Sequence, residues 1–374
     1  MQQSNNVGRQ LFQKAMSSHT PSRPGTLDRR RIRKKVLKKM QDHHIPGAQL
    51  AVLRNGKVVF NEGLGVKKAG TTMLVDRHTI FEACSLTKPV FATAILKAIQ
   101  EKILDDDFLD RPLVTLLPQE KFLARVNDFL ESDETGITWQ NCSPSFKRRF
   151  EMLTPRHLLT HTSGLPNWRQ GPNIDFILEP ESKWSYSGEG FELLGNFVSD
   201  ITQKPLEQFI HDQIFEPFDM TQSAFCRKSG VTELTYATPH TSDEKTMPIK
   251  PFKRPNAAAS MSSTASDYIK FIQGLSKSGL TDALLEAQVM TSENEPHCAW
   301  GLGFGLTESK NSFWHWGDGG PRNFKAFVSV NLDTGNGFVY FANSHNGLAI
   351  QPTLEQAFSS DTIHCHELDP FRVY

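Results

Sequence analysis

Apolar and polar residues recur along the chain with two periods, one typical of helices and one typical of strands. A helix is predicted over 27–44, where four apolar positions fall on one face: Ile32, Val36, Leu37 and Met40. Two runs of strand-forming residues, 48–54 and 57–62, flank Asn55-Gly56, a dipeptide that favours the tight turn of a β-hairpin. These two runs are therefore predicted to pair with each other.

The remaining pattern places helices in the middle of the chain and strands towards its C-terminus. Further helices are predicted at 85–102, 154–164, 192–202, 206–215, 268–275 and 351–358. Further strands are predicted at 300–306, 312–317, 324–331 and 337–343. A turn rich in Gly and Asn joins the last two strands, and strands that follow one another as hairpins form antiparallel sheets.

This order of elements predicts an α/β fold of the α+β type, in which an antiparallel sheet is flanked by helices and a mainly helical lobe is inserted. One domain over 27–374 is expected to follow a flexible, polar N-terminal arm over 1–26. Its expected α/β lobe comprises 27–78 and 257–374, and its expected helical lobe comprises 79–256. Residues 119–150 are mixed and charged, and we interpret them as an insertion, with a lid as one hypothesis for its role.

The charge balance argues against nucleic acid or a membrane surface as a partner. Lys and Arg together number 41, as do Asp and Glu, so the formal net charge is zero. The basic residues of the 27–44 helix are interpreted as its solvated face. No run of apolar residues approaches the length that spans a bilayer, so no transmembrane segment is predicted.

The cysteines and the N-terminus bear on location. Five cysteines are scattered without C-x-x-C spacing, which favours a reducing compartment over a disulfide framework. The first residues lack the apolar core of a secretory signal, so a cytoplasmic location is expected. The absence of acidic residues before Asp28, with Val7, Leu11 and Ala15 on one helical face, leaves an organelle transit peptide as an alternative.

Candidate chemistry centres on Ser85 and Lys88. Residues three apart on a helix share a face, so the Lys88 amine can lie beside the Ser85 hydroxyl and take its proton. The unpaired N–H groups of a helix N-terminus favour an oxyanion that forms there. Pro89 lacks an N–H and fixes the start of the helix close to Ser85.

The S-x-x-K pattern alone is weak, because a chain of this length is expected to contain it about once by chance. Ser242 and Lys245 match it too, in a polar stretch with no apolar helix behind it. Taken alone, Ser85 is more readily explained as a helix N-cap than as a nucleophile, so the other motifs have to decide.

Groups that could hold a metal are present but do not form a recognised site. His157 and His161 lie four apart on a predicted helix, without the glutamate of H-E-x-x-H between them. The aspartates at 105–107 are interpreted as a solvated turn, and the run His-Cys-His at 364–366 as incidental. No metal and no cofactor are predicted.

Several motifs in fixed order resemble the serine β-lactamase-related family, which contains class C β-lactamases, D-alanyl-D-alanine carboxypeptidases and esterases. The likeness covers about 45–358, and its fold is the β-lactamase/transpeptidase-like one. The motifs that carry it are Pro46-Gly47-Ala48, Ser85-Leu86-Thr87-Lys88, Leu158–Leu165, Tyr186-Ser187-Gly188 in place of Y-x-N, Ser262–Asp267, and His315-Trp316-Gly317 in place of K-T-G or H-x-G.

The resemblance implies an acyl-enzyme mechanism. Ser85 is the expected nucleophile, and Lys88 and Tyr186 are expected to share the role of base, with the lysine lowering the pKa of the tyrosine. The backbone N–H groups of Ser85 and Asp318 are the expected oxyanion hole. The resemblance also places the substrate along Gly188, His315, Trp316 and Gly317, and it makes His157 and His161 structural.

Two departures from the family pattern favour a small ester as substrate. Gly188 replaces an asparagine that binds a substrate amide, and His315 replaces a lysine that pairs with a substrate carboxylate. A carboxypeptidase, an aminopeptidase or a weak β-lactamase acting on D-amino-acid amides is the alternative. A non-catalytic, self-assembling scaffold of the same fold, and hence a homo-oligomer, stays open as well.

Overall fold

The protein is described here by a computed structural model, which covers residues 29–131, 136–171, 173–226, 232, 234–250, 252–292 and 298–358. Its helices are α1 Arg29–Asp42, α2 Thr87–Gln100, α3 Gln119–Leu130, α4 Pro144–Glu151, α5 Pro155–Leu159, α6 Gly188–Thr202, α7 Leu206–Ile210, α8 Ala265–Leu275, α9 Thr281–Leu284 and α10 Gln351–Phe358. Its strands are β1 Gly47–Arg54, β2 Lys57–Gly65, β3 Phe81–Glu82, β4 Ser262–Ser263, β5 Val289–Met290, β6 Ala299–Trp300, β7 Gly305–Leu306, β8 Ser312–Asp318, β9 Lys325–Asn331 and β10 Asn336–Ala342.

Eight strands form one antiparallel sheet in the order β2-β1-β10-β9-β8-β7-β6-β5. The N-terminal hairpin joins the C-terminal strands because β1 pairs with β10, with Ala51 opposite Val339. Asn55 and Gly56 turn the first hairpin with φ values of 50° and 71°, the left-handed conformation that this dipeptide favours. The predicted antiparallel α/β fold with a mainly helical part between its strands is confirmed.

Both faces of the sheet are covered by apolar side chains. Along β1, Leu50 and Val52 face one cluster, which also contains Val36 and Met40 of α1. Ala51 faces a larger cluster that includes the helices between the two halves of the sheet. A strand that is buried on both faces reads as a nearly continuous apolar run, which is the pattern of 48–53. None of the described helices is both long and apolar enough to cross a membrane.

The segment 119–150 contributes to the core where it is described. Phe122 of α3 packs edge-on against Phe197 of α6, with ring centroids 6.3 Å apart, and Phe150 of α4 is fully buried. Apolar side chains thus hold α3 and α4 against the helical part. That the segment is an insertion stays a prediction, while the N-terminal arm and the run 364–366 lie outside the described residues.

Several predicted elements differ from the observed ones. The helix predicted at 154–164 ends at Leu159, and residues 211–215 form a π-helical turn after α7. The strand predicted at 300–306 is split in two, because the chain turns at Gly303 with φ 80°. Helix α6 begins at Gly188, four residues earlier than predicted, since the Ser187 hydroxyl caps it by accepting from the Gly190 N–H.

Gln49 connects the sheet to the segment that leads to strand β3. Its side chain is fully buried, and its Nε2 donates to the carbonyl oxygens of Asp76 and Thr79 at 2.6 and 3.4 Å. Its Oε1 accepts from the N–H of Ala265, the first residue of α8. One side chain therefore satisfies three backbone groups around the strand pair β3–β4.

We expect Gln49→Leu to lower the free energy of unfolding by at least about 2 kcal/mol, because buried backbone groups lose their partner at about 1–3 kcal/mol each. Urea denaturation measures the change. Gln119→Leu, at an exposed position, is the matched control and should shift stability by less than about 0.5 kcal/mol. Equal effects of the two substitutions would contradict this role of Gln49.

Candidate active site

A strained turn presents Ser85. The residue lies in the 3-10 turn Cys84–Leu86, which begins one residue after β3 and directly precedes α2. Cys84 has φ 50°, a left-handed conformation that is uncommon for a residue with a side chain. The Thr87 hydroxyl stabilises the turn by donating to the Cys84 carbonyl at 2.5 Å. Burial raises the pKa of the Cys84 thiol well above its usual value, so this neighbour stays a neutral thiol.

Gly317 lets the turn Cys84–Leu86 approach β8. A Cβ at position 317 would lie 2.6 Å from the Ala83 carbonyl oxygen and 3.2 Å from the Cβ of Cys84. The glycine is therefore required by the turn itself, which packs against β8 at this point. This contact accounts for the glycine of the motif His315-Trp316-Gly317, and no contact with a substrate is needed to explain it.

Lys88 lies one turn into the helix, as the spacing predicts. Its Nζ is 3.0 Å from Ser85 Oγ and donates to the Ala258 carbonyl at 2.8 Å. The side chain is fully buried, and burial lowers the pKa of Lys88 to about 7. A substantial fraction of the amine is therefore neutral near pH 7, with a lone pair available to the Ser85 hydroxyl.

Tyr186 lies on the other side of the lysine. Lys88 Nζ is 4.7 Å from the centre of its ring, and the ring packs on Trp316 at 4.7 Å between centroids. The buried Tyr186 hydroxyl has no hydrogen-bond partner within bonding geometry among the described residues. Burial raises the pKa of Tyr186 far above its usual value, although the nearby Ser85 hydroxyl opposes the shift. This direction is opposite to the sequence expectation, because desolvation dominates the shift and an amine with a pKa of about 7 is only partly charged near neutral pH.

The two histidines behind this group are held as neutral rings. His315 Nδ1 lies 2.7 Å from the Trp316 carbonyl, and burial, aided by Lys88, lowers the pKa of His315 to about 3. His161 Nδ1 accepts from the Ser187 N–H at 3.0 Å, and burial lowers its pKa well below the usual value. His157 Nδ1 accepts from the Thr154 N–H at 3.2 Å, so it caps α5. The rings of His157 and His161 are thus used in backbone contacts.

An open cavity of about 640 Å³ lies in front of Ser85. Its described lining residues are Glu82, Cys84, Ser85, Asn167, Trp168, Tyr186, Phe252, Asn256, Ala259, Trp316, Asp318, Gly319, Gly320, Pro321 and Arg322. Ser85, Tyr186, Trp316 and Asp318 are brought together there as the sequence predicts. Gly188, His315 and Gly317 are not among these lining residues, and the fully buried His315 ring lies behind the wall.

The sequence did not predict the parts of the cavity wall that Asn167, Trp168 and Arg322 form. Asn167 and Trp168 come from the stretch after α5, and Arg322 comes from the loop after β8. The only local signal for Arg322 is the turn-forming run of two glycines and a proline before it, directly after the K-T-G-like motif. Nothing local marks Asn167, because its partners lie some twenty residues along the chain.

Charges at the cavity wall are paired. Arg322 is the only cation among the described lining residues, and its Nε donates to Glu82 at 2.6 Å while its Nη2 donates to the second carboxylate oxygen at 2.5 Å. The same guanidinium lies 4.2 Å from the centre of the Phe252 ring. Asp318 pairs with the buried Lys325. A bidentate pair satisfies both groups, so this wall offers a substrate carboxylate no unpaired charge.

Position 188 has no room for a side chain. A Cβ there would lie 2.7 Å from the Trp168 ring and 2.8 Å from the Asn167 carbonyl oxygen. The space that an asparagine side chain would need is therefore filled by the stretch containing Asn167 and Trp168. The packing of this wall therefore requires glycine at position 188, where the pattern Y-x-N has asparagine.

Comparison with known proteins identifies the family. A model of the Beta-lactamase family matches residues 32–356. The chain belongs to the beta-lactamase family. Members of this family are generally serine hydrolases, and the matched residues include Ser85 and Lys88.

Two curated relatives match parts of the chain. "Protein flp" of Staphylococcus aureus (strain MW2) is 26% identical over 208 residues, 50% of this chain and 36% of that protein. "Esterase EstB" of Burkholderia gladioli is 27% identical over 217 residues, 50% of this chain and 48% of that protein. The chain thus spans less than half the length of the curated relatives it matches.

A solved structure shares the fold. The octameric penicillin-binding protein homologue from Pyrococcus abyssi has a TM-score of 0.67 and 19% identity, covering 88% of this chain and 77% of that one. At this identity the likeness concerns the fold alone. It agrees with the β-lactamase/transpeptidase-like architecture of this beta-lactamase family member.

Gly317→Ala should reduce the reactivity of Ser85, because the added Cβ would push the Ala83 carbonyl and with it the turn that carries Ser85. We expect labelling of Ser85 by a fluorophosphonate to slow about tenfold or more, with a loss of stability of about 1–3 kcal/mol. The measurement is the labelling rate followed by intact mass.

Gly279→Ala is the control, because Gly279 has φ 74° but its nearest atom would be 3.9 Å away. That substitution carries the strain of a left-handed residue, about 1–2 kcal/mol, without the clash. Labelling that is equally fast in both variants would show that the contact between Gly317 and Ala83 does not position Ser85.

Proposed function

We propose that this chain is a serine acyl hydrolase that forms an acyl-enzyme on Ser85 and acts on a small ester. The observation that carries the proposal is the contact of 3.0 Å between Ser85 Oγ and a fully buried amine whose pKa is about 7. A serine needs an adjacent base to become a nucleophile, and a base is most effective when its pKa lies near the working pH.

In the acylation step, the neutral Lys88 amine donates one hydrogen to the Ala258 carbonyl and accepts the proton of the Ser85 hydroxyl. Ser85 Oγ bonds to the carbonyl carbon of the ester, and the carbonyl electron pair moves onto its oxygen. The backbone N–H groups of Ser85 and Asp318 are proposed to bind this oxyanion. Ser85 lies in the first turn of a 3-10 helix, where N–H groups lack helical partners. This position supports oxyanion binding by its N–H group.

Collapse of the intermediate breaks the bond to the leaving alkoxide, which needs a proton. Tyr186 stays protonated near neutral pH because burial raises its pKa, so it is suited to donate rather than to abstract. The Lys88 ammonium returns the proton to Tyr186, leaving the amine neutral again. Water then attacks the acyl-enzyme, giving its proton to Lys88, and Ser85 leaves with that proton.

The cavity supports a small, uncharged ester better than a peptide with a free carboxylate. Its one described cation, Arg322, is already paired with Glu82, and the neutral His315 is buried behind the wall. Trp168, Phe252 and Trp316 give the walls an aromatic character. The esterase among the curated relatives agrees with this substrate class.

Hydrolysis of amides by the same residues is the second candidate, and a non-catalytic scaffold is the third. The scaffold is disfavoured because the Ser85–Lys88 contact and the lowered lysine pKa are both present. An octameric structural neighbour supports testing a homo-oligomer by light scattering. A cytoplasmic location, no metal and no cofactor stay predictions from the sequence.

Ser85→Ala should abolish hydrolysis of p-nitrophenyl acetate and butyrate, with a loss of at least about a thousandfold in kcat/KM. The matched control is Ser242→Ala, at the exposed serine of the second S-x-x-K pattern, which should keep wild-type rates. An unchanged rate in Ser85→Ala would contradict the proposed function.

The pH profile tests the role of Lys88. Protonation removes the lone pair, so kcat/KM for the butyrate ester should fall about tenfold per pH unit below about 7 and level off above it. Lys88→Met should lose activity at every pH, while Lys245→Met, at an exposed lysine, should keep the wild-type profile. A flat wild-type profile between about pH 5.5 and 8.5 would rule out a lysine base of this pKa.

A further inference from the structure

Tyr186 lies in a stretch of the chain that has no regular secondary structure. Residues 184–187 belong to no helix or strand, and α6 begins only at Gly188. The place of the tyrosine beside Lys88 therefore depends on contacts with other segments of the chain. That place matters because, in the proposed mechanism, the Tyr186 hydroxyl has to reach the departing alkoxide.

His161 accepts hydrogen bonds from the residues on both sides of Tyr186. Its carbonyl oxygen accepts from the Ser185 N–H at 2.8 Å, and its Nδ1 accepts from the Ser187 N–H at 3.0 Å. Ser187 is fully buried, so loss of the Nδ1 acceptor would leave its N–H without a partner and out of reach of solvent. One residue thus fixes the backbone directly before and directly after the tyrosine.

The His161 ring also packs on the tyrosine side chain. The centroids of the two rings are 4.3 Å apart, and their planes are inclined at 37°. Trp316 packs on the same tyrosine ring at 4.7 Å between centroids, and Lys88 Nζ lies 4.7 Å from its centre. His161 therefore contacts both the backbone around Tyr186 and its ring.

The backbone of His161 is strained. The residue is fully buried and has φ 58°, a left-handed conformation that is uncommon for a residue with a side chain. Strain of this kind persists where the surrounding structure imposes it, and it is concentrated at functional sites. At position 161 the strain coincides with the two hydrogen bonds to Ser185 and Ser187.

The partner of the His161 ring fixes its tautomer. A backbone N–H can only donate, so Nδ1 carries the lone pair and the proton of the neutral ring lies on Nε2. A charged ring would turn an N–H towards the Ser187 N–H and lose this bond. Burial, aided by Lys88 and His315, lowers the pKa of His161 well below its usual value, so the acceptor is kept near neutral pH.

We propose that His161 is a positioning residue for Tyr186, which it holds by the backbone on both sides and by the ring so that the hydroxyl reaches the leaving group. The inference rests on the proposed function, in which Tyr186 gives its proton to the departing alkoxide. His161 is not among the described residues that line the cavity, so it acts through Tyr186 and not on the substrate. A residue that the sequence presents as structural thereby contributes to a proton transfer.

The test compares two esters with the same acyl group, ethyl butyrate and p-nitrophenyl butyrate. The p-nitrophenolate ion is a weak base that departs without a proton, whereas ethoxide needs one. The readout is kcat/KM for the ethyl ester divided by kcat/KM for the nitrophenyl ester, both measured by titration of the released acid. A loss of folded protein or a slower attack by Ser85 lowers both values and cancels in this ratio.

Tyr186→Phe gives the scale of the effect and should lower the ratio by at least about a hundredfold, because the proton donor is lost. His161→Phe keeps an aromatic ring but places a carbon where Nδ1 accepts from Ser187. The ratio should then fall by at least about tenfold, because the tyrosine hydroxyl is displaced. His161→Gly is the second variant, since glycine adopts φ 58° without strain but has no acceptor, and it should show a fall of the same size.

His161→Asn should restore most of the ratio. Asparagine offers a side-chain oxygen to the Ser187 N–H and tolerates the left-handed conformation. We expect a fall of at most about threefold, because only the ring contact is lost. In a Tyr186→Phe background, His161→Phe should not lower the ratio further, since the two residues act as a unit.

His44→Phe is the matched control, because His44 also has a left-handed backbone, with φ 55°, but its side chain is exposed and lies outside the described cavity lining. Its ratio should equal that of wild type. A ratio that Tyr186→Phe lowers but that neither His161→Phe nor His161→Gly changes overturns this inference alone.

Two other outcomes concern the proposed function. A wild-type protein that hydrolyses only the nitrophenyl ester, or a ratio that Tyr186→Phe does not lower, contradicts the donor role of Tyr186 and this inference with it. A wild-type protein that hydrolyses neither ester contradicts the proposed esterase function as a whole.

Discussion

Burial of the Lys88 amine is the constraint on which the rest of the site depends. Its hydrogen-bond partners are two uncharged oxygens, those of Ser85 and Ala258, and burial lowers its pKa to about 7. Because the unfolded chain keeps the proton up to about pH 10.4, the folded state binds fewer protons between these values. This group therefore stabilises the fold least at low pH, and its contribution grows as pH rises from about 7. This loss of stability near neutral pH accompanies a partly neutral amine beside Ser85, which is the proposed base.

The same burial changes the role of the tyrosine. An ammonium beside Tyr186 would favour a phenolate, but a neutral amine does not, and desolvation then raises the tyrosine pKa. A protonated tyrosine can give up its proton but cannot act as a base, which in the proposed mechanism suits the departure of an alkoxide. Whether Lys88 is charged thus decides how the two residues divide the proton transfers.

The sequence predicts those parts of the site and fold that depend on short spacing. Three-residue spacing brings Lys88 to Ser85, and Asn55-Gly56 turns the first hairpin as predicted. The sequence could not predict the direction of the Tyr186 pKa shift or the burial of His315, because both arise from packing between distant segments. The helix predicted at 154–164 is shorter for a related reason: residue 161 takes φ 58° and bonds to the chain twenty-six residues on.

Asn167 shows the same limit at the substrate side of the site. Its contacts with Gly188 and Glu189 join the stretch after α5 to the first turn of α6, which no local pattern connects, and the family motif points to position 188 itself. Only the packed structure shows that the wall at this position is supplied by another segment.

The most direct test of a mechanism through Ser85 is the mass of the protein after mixing with an excess of p-nitrophenyl ester and quenching in acid, followed by peptide mapping. We expect one acyl group per chain, on the peptide that contains Ser85 and at that serine. An acyl group found on another residue, or none in a protein that hydrolyses the ester, would contradict a mechanism through Ser85.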